Sequence, residues 1–429
     1  MKVFFRRIHL YLGLASGLFL VMVCLTGSIL VFEKELEQAF HSERYFVEAA
    51  STPRLSLAQI TEAVRAHKPK AKISGVKVYA DPTRSVEVSL AGAPGGKGGP
   101  GEGKQRGEGM SPQRSEGRGE GMRGQPGEQR GEGKQPGQKG GPGGKGGKGD
   151  NGPRLFVNPY TGAILGEMNP RESFFHFIEE IHRGLVAGRV GKTVMGINSI
   201  IFLFILGTGL ILWWPTARRM FSQRLTIKWG SSWKRLNHDF HIVLGFYTSL
   251  FLFIMAITGV GMSFEWVTKT LNTLTHSPQQ RPEPPTSTAS ETGAKTMAAD
   301  AVLAFARQQA PDAESYAVQL PKEPTGSIRV AMLRPGAVTE NATDEVYLDQ
   351  YSGKILRQQT YAQRPAGQKI RGLFKPVHTG AIFGLPSKIL AFVIVLLGAT
   401  FPITGTILWL NRTKKSKKKQ AQPLAVAIS

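Results

Sequence analysis

Four histidines, His9, His182, His241 and His378, fall where imidazole is equipped to hold a metal centre at the edge of a membrane. A neutral imidazole offers one ring nitrogen as ligand and keeps the other to donate a hydrogen bond that fixes the ring. Their spacing is what raises them above ordinary interfacial side chains. Sliding the opening segment forward by 232 positions sets His9 on His241, Gly13 on Gly245, Ser16 on Thr248, Thr26-Gly27 on Thr258-Gly259 and Phe32-Glu33 on Phe264-Glu265. A shift of 196 sets His182, Gly184, Gly188 and Lys192 on His378, Gly380, Gly384 and Lys388, then Thr208-Gly209 on Thr404-Gly405 and Trp213 on Trp409. The protein therefore reads as two copies of one unit.

Apolar runs must position these histidines. Four are present, Ile8 to Phe32, Thr193 to Trp214, His241 to Phe264 and Ile389 to Leu410. Each is long enough to cross a hydrocarbon core of about 30 Å at about 1.5 Å per helical residue. Runs so long and continuous are helices, and the fold class is an integral membrane protein, mainly α, with a four-transmembrane-helix bundle. His9 and His241 head outward-running spans, and two copies related by an axis along the membrane normal bring them face to face. His182 and His378 precede inward-running spans and meet at the opposite surface. The stretch from His182 to Trp214 would measure about 50 Å as one helix, too long for an upright crossing. Glycines 184, 188 and 191, and Pro386 in the second half, predict a bend that leaves both outer histidines on interfacial segments.

Two histidines per site satisfy the axial positions of a haem and leave zinc short of ligands. Gly13 and Gly245, one turn past His9 and His241, leave room for a flat cofactor, or equally for close helix contact. Cys24 is the only cysteine, which excludes disulfides, iron–sulfur clusters and covalent haem attachment. The expected cofactors are two non-covalent b-type haems, one on His9 and His241, the other on His182 and His378. Of the other histidines, His238 and His176 are the alternates, although neither recurs at its repeat position.

A formal charge of +23 follows from 54 basic and 31 acidic residues. Arginine and lysine gather before the first span, between the second and third, and after the fourth, whereas 30 of the 31 carboxylates lie in the other two loops. The positive-inside rule places both termini in the cytoplasm, so the charge reflects topology and no nucleic-acid partner is expected. The first span starts like a signal peptide, but its apolar run is too long and no cleavage site follows; it is expected to stay as an anchor.

The two outer loops share one plan. The first has a capping-box helix from Ser56 to about His67, strands at Ile73 to Tyr79, Ser85 to Leu90 and Arg154 to Val157, the turn Asn158 to Gly162, and Ala163 to Leu165. The second repeats it with a helix near Ala298 to Gln309 and strands near Tyr316 to Leu320, Ser327 to Leu333, Val346 to Leu348 and Lys354 to Leu356. Each is expected to be a small α+β domain. Residues 91–152 are Gly-rich and too polar to repay their ordering entropy, which predicts a disordered, flexible insertion; residues 277–295 read as a linker.

Several motifs carry a family resemblance: Arg6-Arg-Ile-His9 with Leu12-Gly13-Leu14, Ile181-His-Arg-Gly184, Asp239-Phe-His-Ile-Val-Leu-Gly245, and Val377-His-Thr-Gly-Ala-Ile-Phe-Gly-Leu-Pro386. Together they resemble the PepSY-associated transmembrane family of iron-regulated bacterial membrane proteins, over nearly the whole chain apart from the insertion and tail. The resemblance implies a bacterial inner-membrane protein built as two tandem TM-PepSY-TM repeats with two small periplasmic α+β PepSY-like domains. The chain then divides into span 1 at 1–32, outer domain 1 at 33–180, interfacial segment and span 2 at 181–214, and a basic cytoplasmic loop at 215–238. Span 3 at 239–264, outer domain 2 at 265–376, interfacial segment and span 4 at 377–410, and a basic tail at 411–429 complete it.

For the best understood branch of that family the resemblance implies a haem-containing reductase of ferric siderophores. The expected partners are a ferric siderophore or other ferric chelate in the periplasm, the lipid bilayer, and quinol or a separate cytosolic reductase as electron donor. No glycine fingerprint for a dinucleotide fold occurs in the cytoplasmic segments. Outer cations such as Arg183, Arg189, Lys192, Lys369, Arg371 and Lys375 are placed to attract an anionic chelate. Two rival classes remain: a regulatory or binding module without redox activity, and a transporter of iron chelates or haem using the repeats for alternating access.

Overall fold

A computed structural model describes residues 1–91, 152–288 and 295–421, with side chains described as far as Lys414. The Gly-rich insertion apart from its ends, part of the 277–295 linker and the end of the tail lie outside the described residues. Among the described residues, four helices are long and apolar enough to cross a membrane: Lys2–Val31, Gly188–Trp213, Trp233–Ser263 and Leu385–Lys414. In lipid, backbone polar groups can be satisfied only within each helix, so uninterrupted apolar runs fold this way. The first span packs along the second and fourth, and so does the third. The first and third spans therefore face one another across the bundle.

The second and fourth spans begin earlier than their apolar runs, taking in Lys192 and Lys388. Lys388 is nearly buried and reaches both oxygens of Glu35, at 2.6 and 2.9 Å. A paired cation need not end a helix. Each of these spans is preceded by a short helix, Phe174–Gly184 or Ala366–His378. The first breaks at Leu185 and Val186, which take left-handed φ of 55° and 57°, and the second breaks around Gly380 at φ 73°. Such angles cost little at glycine and are uncommon for Leu and Val. His182 and His378 thus stand in the last turn of a short helix rather than within a span.

Beyond one end of the bundle, eight strands form a single antiparallel sheet. In chain order they are β1 (Ile73–Tyr79), β2 (Val86–Leu90), β3 (Arg154–Val157), β4 (Ile164–Met168), β5 (Ser315–Gln319), β6 (Ile328–Leu333), β7 (Thr343–Leu348) and β8 (Ile355–Gln359). Their order in the sheet is β4-β3-β2-β1-β5-β6-β7-β8. The strands of the two outer loops are therefore joined edge to edge, with Val76 of β1 opposite Val318 of β5. This pairing covers what would otherwise be two exposed edges.

One face of the sheet is covered by the helices Leu57–His67 and Ala299–Gln309. Leu57, Ile60, Val64, Val302, Leu303 and Ala306 meet Val76, Val78, Val88, Val318 and Val330 in one continuous core. The first helix starts in the expected capping box, with Ser56 Oγ accepting from Gln59 N–H and the Gln59 side chain accepting from Ser56 N–H. Two matching turns lead into the outermost strands: Asn158 Oδ1 accepts from the amides of Tyr160 and Thr161, and Asp349 Oδ1 from those of Tyr351 and Ser352. Gly162 and Gly353 close them at φ 74° and 70°.

Candidate functional site

The rings of His9 and His241 have centroids 6.4 Å apart and planes at 89°. Those of His182 and His378 are 6.1 Å apart at 74°. The first pair joins the first and third spans near the end that carries the start of the first span and the end of the fourth. The second pair lies at the end nearer the sheet. His182 sits against the first span at Val23 and Thr26, which puts about 25 Å of helix between the levels of the two pairs.

All four imidazoles are held at Nδ1 by a neighbouring span. His9 Nδ1 lies 3.1 Å from Ile205 O and 3.0 Å from Thr208 Oγ1. His182 Nδ1 lies 3.1 Å from Val23 O and 3.1 Å from Thr26 Oγ1. His378 Nδ1 lies 2.8 Å from Met255 O and 3.1 Å from Thr258 Oγ1, and His241 Nδ1 lies 2.9 Å from Thr404 Oγ1. The threonine hydroxyls already donate to carbonyls one turn back, as Thr26 does to Met22 O at 2.7 Å and Thr404 to Thr400 O at 3.0 Å. Carbonyl and committed hydroxyl can both only accept, so Nδ1 carries the proton. Nε2 is then the lone-pair nitrogen on every ring, the tautomer that a metal ligand needs.

A glycine follows each of those threonines, and the ring lies against it. A Cβ on Gly209 would meet His9 Cε1 at 3.2 Å, and one on Gly27 would meet His182 Cε1 at 3.1 Å. The distances are 3.3 Å from Gly259 to His378 and 3.1 Å from Gly405 to His241. Even a methyl group would require the ring to shift by a few tenths of an ångström, and a larger side chain by more. The absence of a side chain is what lets each ring lie flat on the next span.

Electrostatics agree with neutral donors. Burial pushes His182 down to about 4, with the nearby His378 ring adding to the shift, and burial likewise lowers His378. His241 lies in a π-helical turn, Phe240–Leu244, of the third span. Turns of this kind re-aim a side chain and recur at functional sites.

Gly13 and Gly245 behave differently from the clamp glycines, since a Cβ on either would meet nothing within 4 Å. Gly17, one turn further, is the close helix contact, its Cβ position 3.2 Å from Pro402. Of the two alternates, His238 turns to Asp239, with Nδ1 3.1 Å from Oδ1, and is 45% exposed. His176 lies beside Glu179 and Glu180 on its own helix. Neither pairs with a second histidine among the described ring contacts.

Two facing imidazoles can also make a plain edge-to-face contact. Here both rings of each pair spend Nδ1 on a neighbouring span and keep the Nε2 lone pair, twice over. Each site thus offers two neutral nitrogen donors. Among the described residues no three His, Cys, Asp or Glu side chains gather to hold a metal ion, so a four-coordinate zinc site is not available from these donors.

The residues that sequence reasoning passed over are the four Thr-Gly pairs. They were legible as repeats, Thr26-Gly27 with Thr258-Gly259 and Thr208-Gly209 with Thr404-Gly405, but nothing in one dimension says which histidine each would receive. Each pair takes the ring of an adjacent helix, not of its own span.

No curated protein matches the chain by sequence. The family model described as the PepSY-associated TM region matches residues 6–412, which takes in nearly all of the four spans and the whole sheet. The chain belongs to the PepSY-associated transmembrane family.

Proposed function

We propose that the chain is a di-haem b-type reductase of the bacterial inner membrane that passes electrons to the periplasm, where they reduce ferric siderophores and release the iron. The observation that carries this reading is the spacing of the ring pairs. Two imidazoles that shared one metal ion through Nε2, with bonds of about 2.0 Å, would have their ring centres about 6 Å apart. The observed 6.4 and 6.1 Å fit a metal between the rings, and the donor count fits a macrocycle that supplies the other four ligands. The open space over Gly13 and Gly245 fits its plane.

Two tandem copies are supported by the centre of the sheet. Val76 faces Val318, with Lys77–Ala317 on one side and Gly75–Gln319 on the other. In two tandem copies, a two-fold axis through that pair would exchange His9 with His241 and His182 with His378. Basic residues around the termini and between the second and third spans support a cytoplasmic inner side and a periplasmic sheet.

Bound in these sites, each haem supplies a one-electron carrier. His9 with His241 and His182 with His378 would hold the two haems, and the Nδ1–H donors would fix ring orientation and ligand basicity. The surrounding spans exclude water. Ferric iron bound by hard oxygen donors is held less tightly once reduced, so reduction releases it. Quinol from the bilayer, or a separate cytosolic reductase, is the donor.

The test is a reaction rather than a spectrum. Protein reduced with dithionite, freed of excess reductant and mixed with a ferric siderophore is expected to reoxidise while a ferrous-specific chelator captures one iron per haem. Haem that stays reduced in the presence of ferric chelates would remove the reductase activity. A colourless protein would favour the regulatory module, and accumulation of chelate in vesicles the transporter.

A further inference from the structure

At the β8 edge of the sheet, four arginines surround one acid. Glu345, 3% exposed, receives Arg329 at 2.6 Å, Arg281 at 2.9 Å and Arg364 at 3.0 Å, all on Oε1. Arg357 lies over the Tyr347 ring at 4.3 Å. One carboxylate cannot neutralise four guanidinium groups, and the surplus is not buried out of reach. A cleft of about 210 Å³ opens beside it, lined by Arg281, Glu345, Tyr347, Arg357, Gln358 and Gln363. Arg281, half-exposed at the cleft, is the guanidinium best placed to meet an acceptor from outside.

We infer that this cleft is a capture site for an anionic, carboxylate-bearing ferric chelate. The identity of the ligand rests on the reductase reading; the site itself rests on the arginines. The cleft is smaller than the roughly 300–1,000 Å³ of pockets that engulf a whole small molecule. It takes one anionic arm and leaves the metal-bearing part outside. Arginine forks and glutamine amides suit planar carboxylate oxygens.

The larger cleft, about 420 Å³, is lined by Glu37, Glu167 and Glu172 as well as His41 and Arg44, and its carboxylates repel the same ligand. Arg364, which pairs with Glu345 but does not line the cleft, leads toward the outer histidines. It stands just before the helix Ala366–His378, whose last residue is His378 about 20 Å away along the axis. The cleft would therefore concentrate chelate on the same side of the bundle as the outer site, about 20 Å from it and without forming part of it.

The experiment measures binding of gallium(III) citrate, which is anionic and redox-inert, to the full chain in detergent by equilibrium dialysis. Two variants are compared with wild type. Arg281→Gln changes a half-exposed cleft residue, and Gln358→Glu places a negative charge at the exposed rim. Both are expected to weaken binding by about tenfold, and added salt to weaken wild type. An uncharged gallium hydroxamate is expected to bind all three alike, and inorganic phosphate to compete with citrate. Equal citrate affinity in all three proteins, or no binding by wild type, would overturn the inference. Haem content is read from the same samples. A colourless protein whose citrate binding still falls in both variants keeps the cleft and defeats the reductase, whereas a haem-loaded protein with unchanged affinities defeats the cleft alone.

Discussion

His182 and His378, on separate short helices nearly half the chain apart, bring their imidazoles to a 6.1 Å centroid separation while each bonds backwards to a different span. His182 leans on the first span and His378 on the third, and His9 and His241 lean likewise on the second and fourth. Every span thus provides one clamp for an adjacent helix's histidine. Losing one clamp should disturb one cofactor and spare the other.

Gly259→Leu tests that independence. The new side chain would start from a Cβ only 3.3 Å from His378 Cε1 and drive the ring off Met255 O and Thr258 Oγ1. Haem measured per chain is expected to fall from two to about one, with the inner site intact. Retention of both haems would mean that the ring is not held where the structure has it.

Gly13→Leu separates a cofactor slot from a packing contact. Its Cβ meets no protein atom within 4 Å, so a side chain can start there without a clash at Cβ. The inner haem is expected to be lost while the chain stays folded and the outer haem stays bound. Gly17→Leu, pressed against Pro402, is expected instead to destabilise the bundle, by about 1–3 kcal/mol as overpacked cores do. Equal haem loading of Gly13→Leu and wild type would return Gly13 to the role of a helix spacer.

The four spans and the histidine pairs are readable from sequence because two signals reinforce each other. Apolar length marks each span, and duplication marks the few polar residues that matter. Other features are not readable. β7 extends back through Thr343, Asp344 and Glu345, residues that look unlike a buried strand, because Arg281, Arg329 and Arg364 come from elsewhere in the chain to neutralise Glu345. The fusion of both sets of strands through β1 and β5 is equally hidden, since alternating Val76, Val78, Tyr316 and Val318 would suit any neighbouring strand. The Thr-Gly clamps show as a repeat, but their partners are set only by how the spans pack.

Glu345 makes the sheet sensitive to acid. Burial would push its carboxyl up, but the hydrogen bond and charge of Arg329, with Arg281 and Arg364, hold it down at about 2 against an ordinary 4.5. A depressed carboxylate contributes stability that is fully present above its unfolded value and lost as pH falls toward the folded one. That loss amounts to roughly 3 kcal/mol. Thermal unfolding of the full chain is expected to fall between pH 4.5 and 2, and Glu345→Gln to be less stable at pH 7 and flatter across that window. The same pH slope in both proteins would assign the acid response to other groups.

The most direct measurement is the haem content and spectrum of the purified wild-type chain from haem-replete cells. Two non-covalent haems per chain are expected, with sharp low-spin bands on reduction. Ring planes at 89° and 74° predict a strongly anisotropic low-spin ferric resonance, because near-perpendicular axial imidazoles leave the iron π orbitals almost degenerate. His9→Ala and His378→Ala should each remove about one haem. A colourless preparation, or haem that survives both substitutions, would contradict the account.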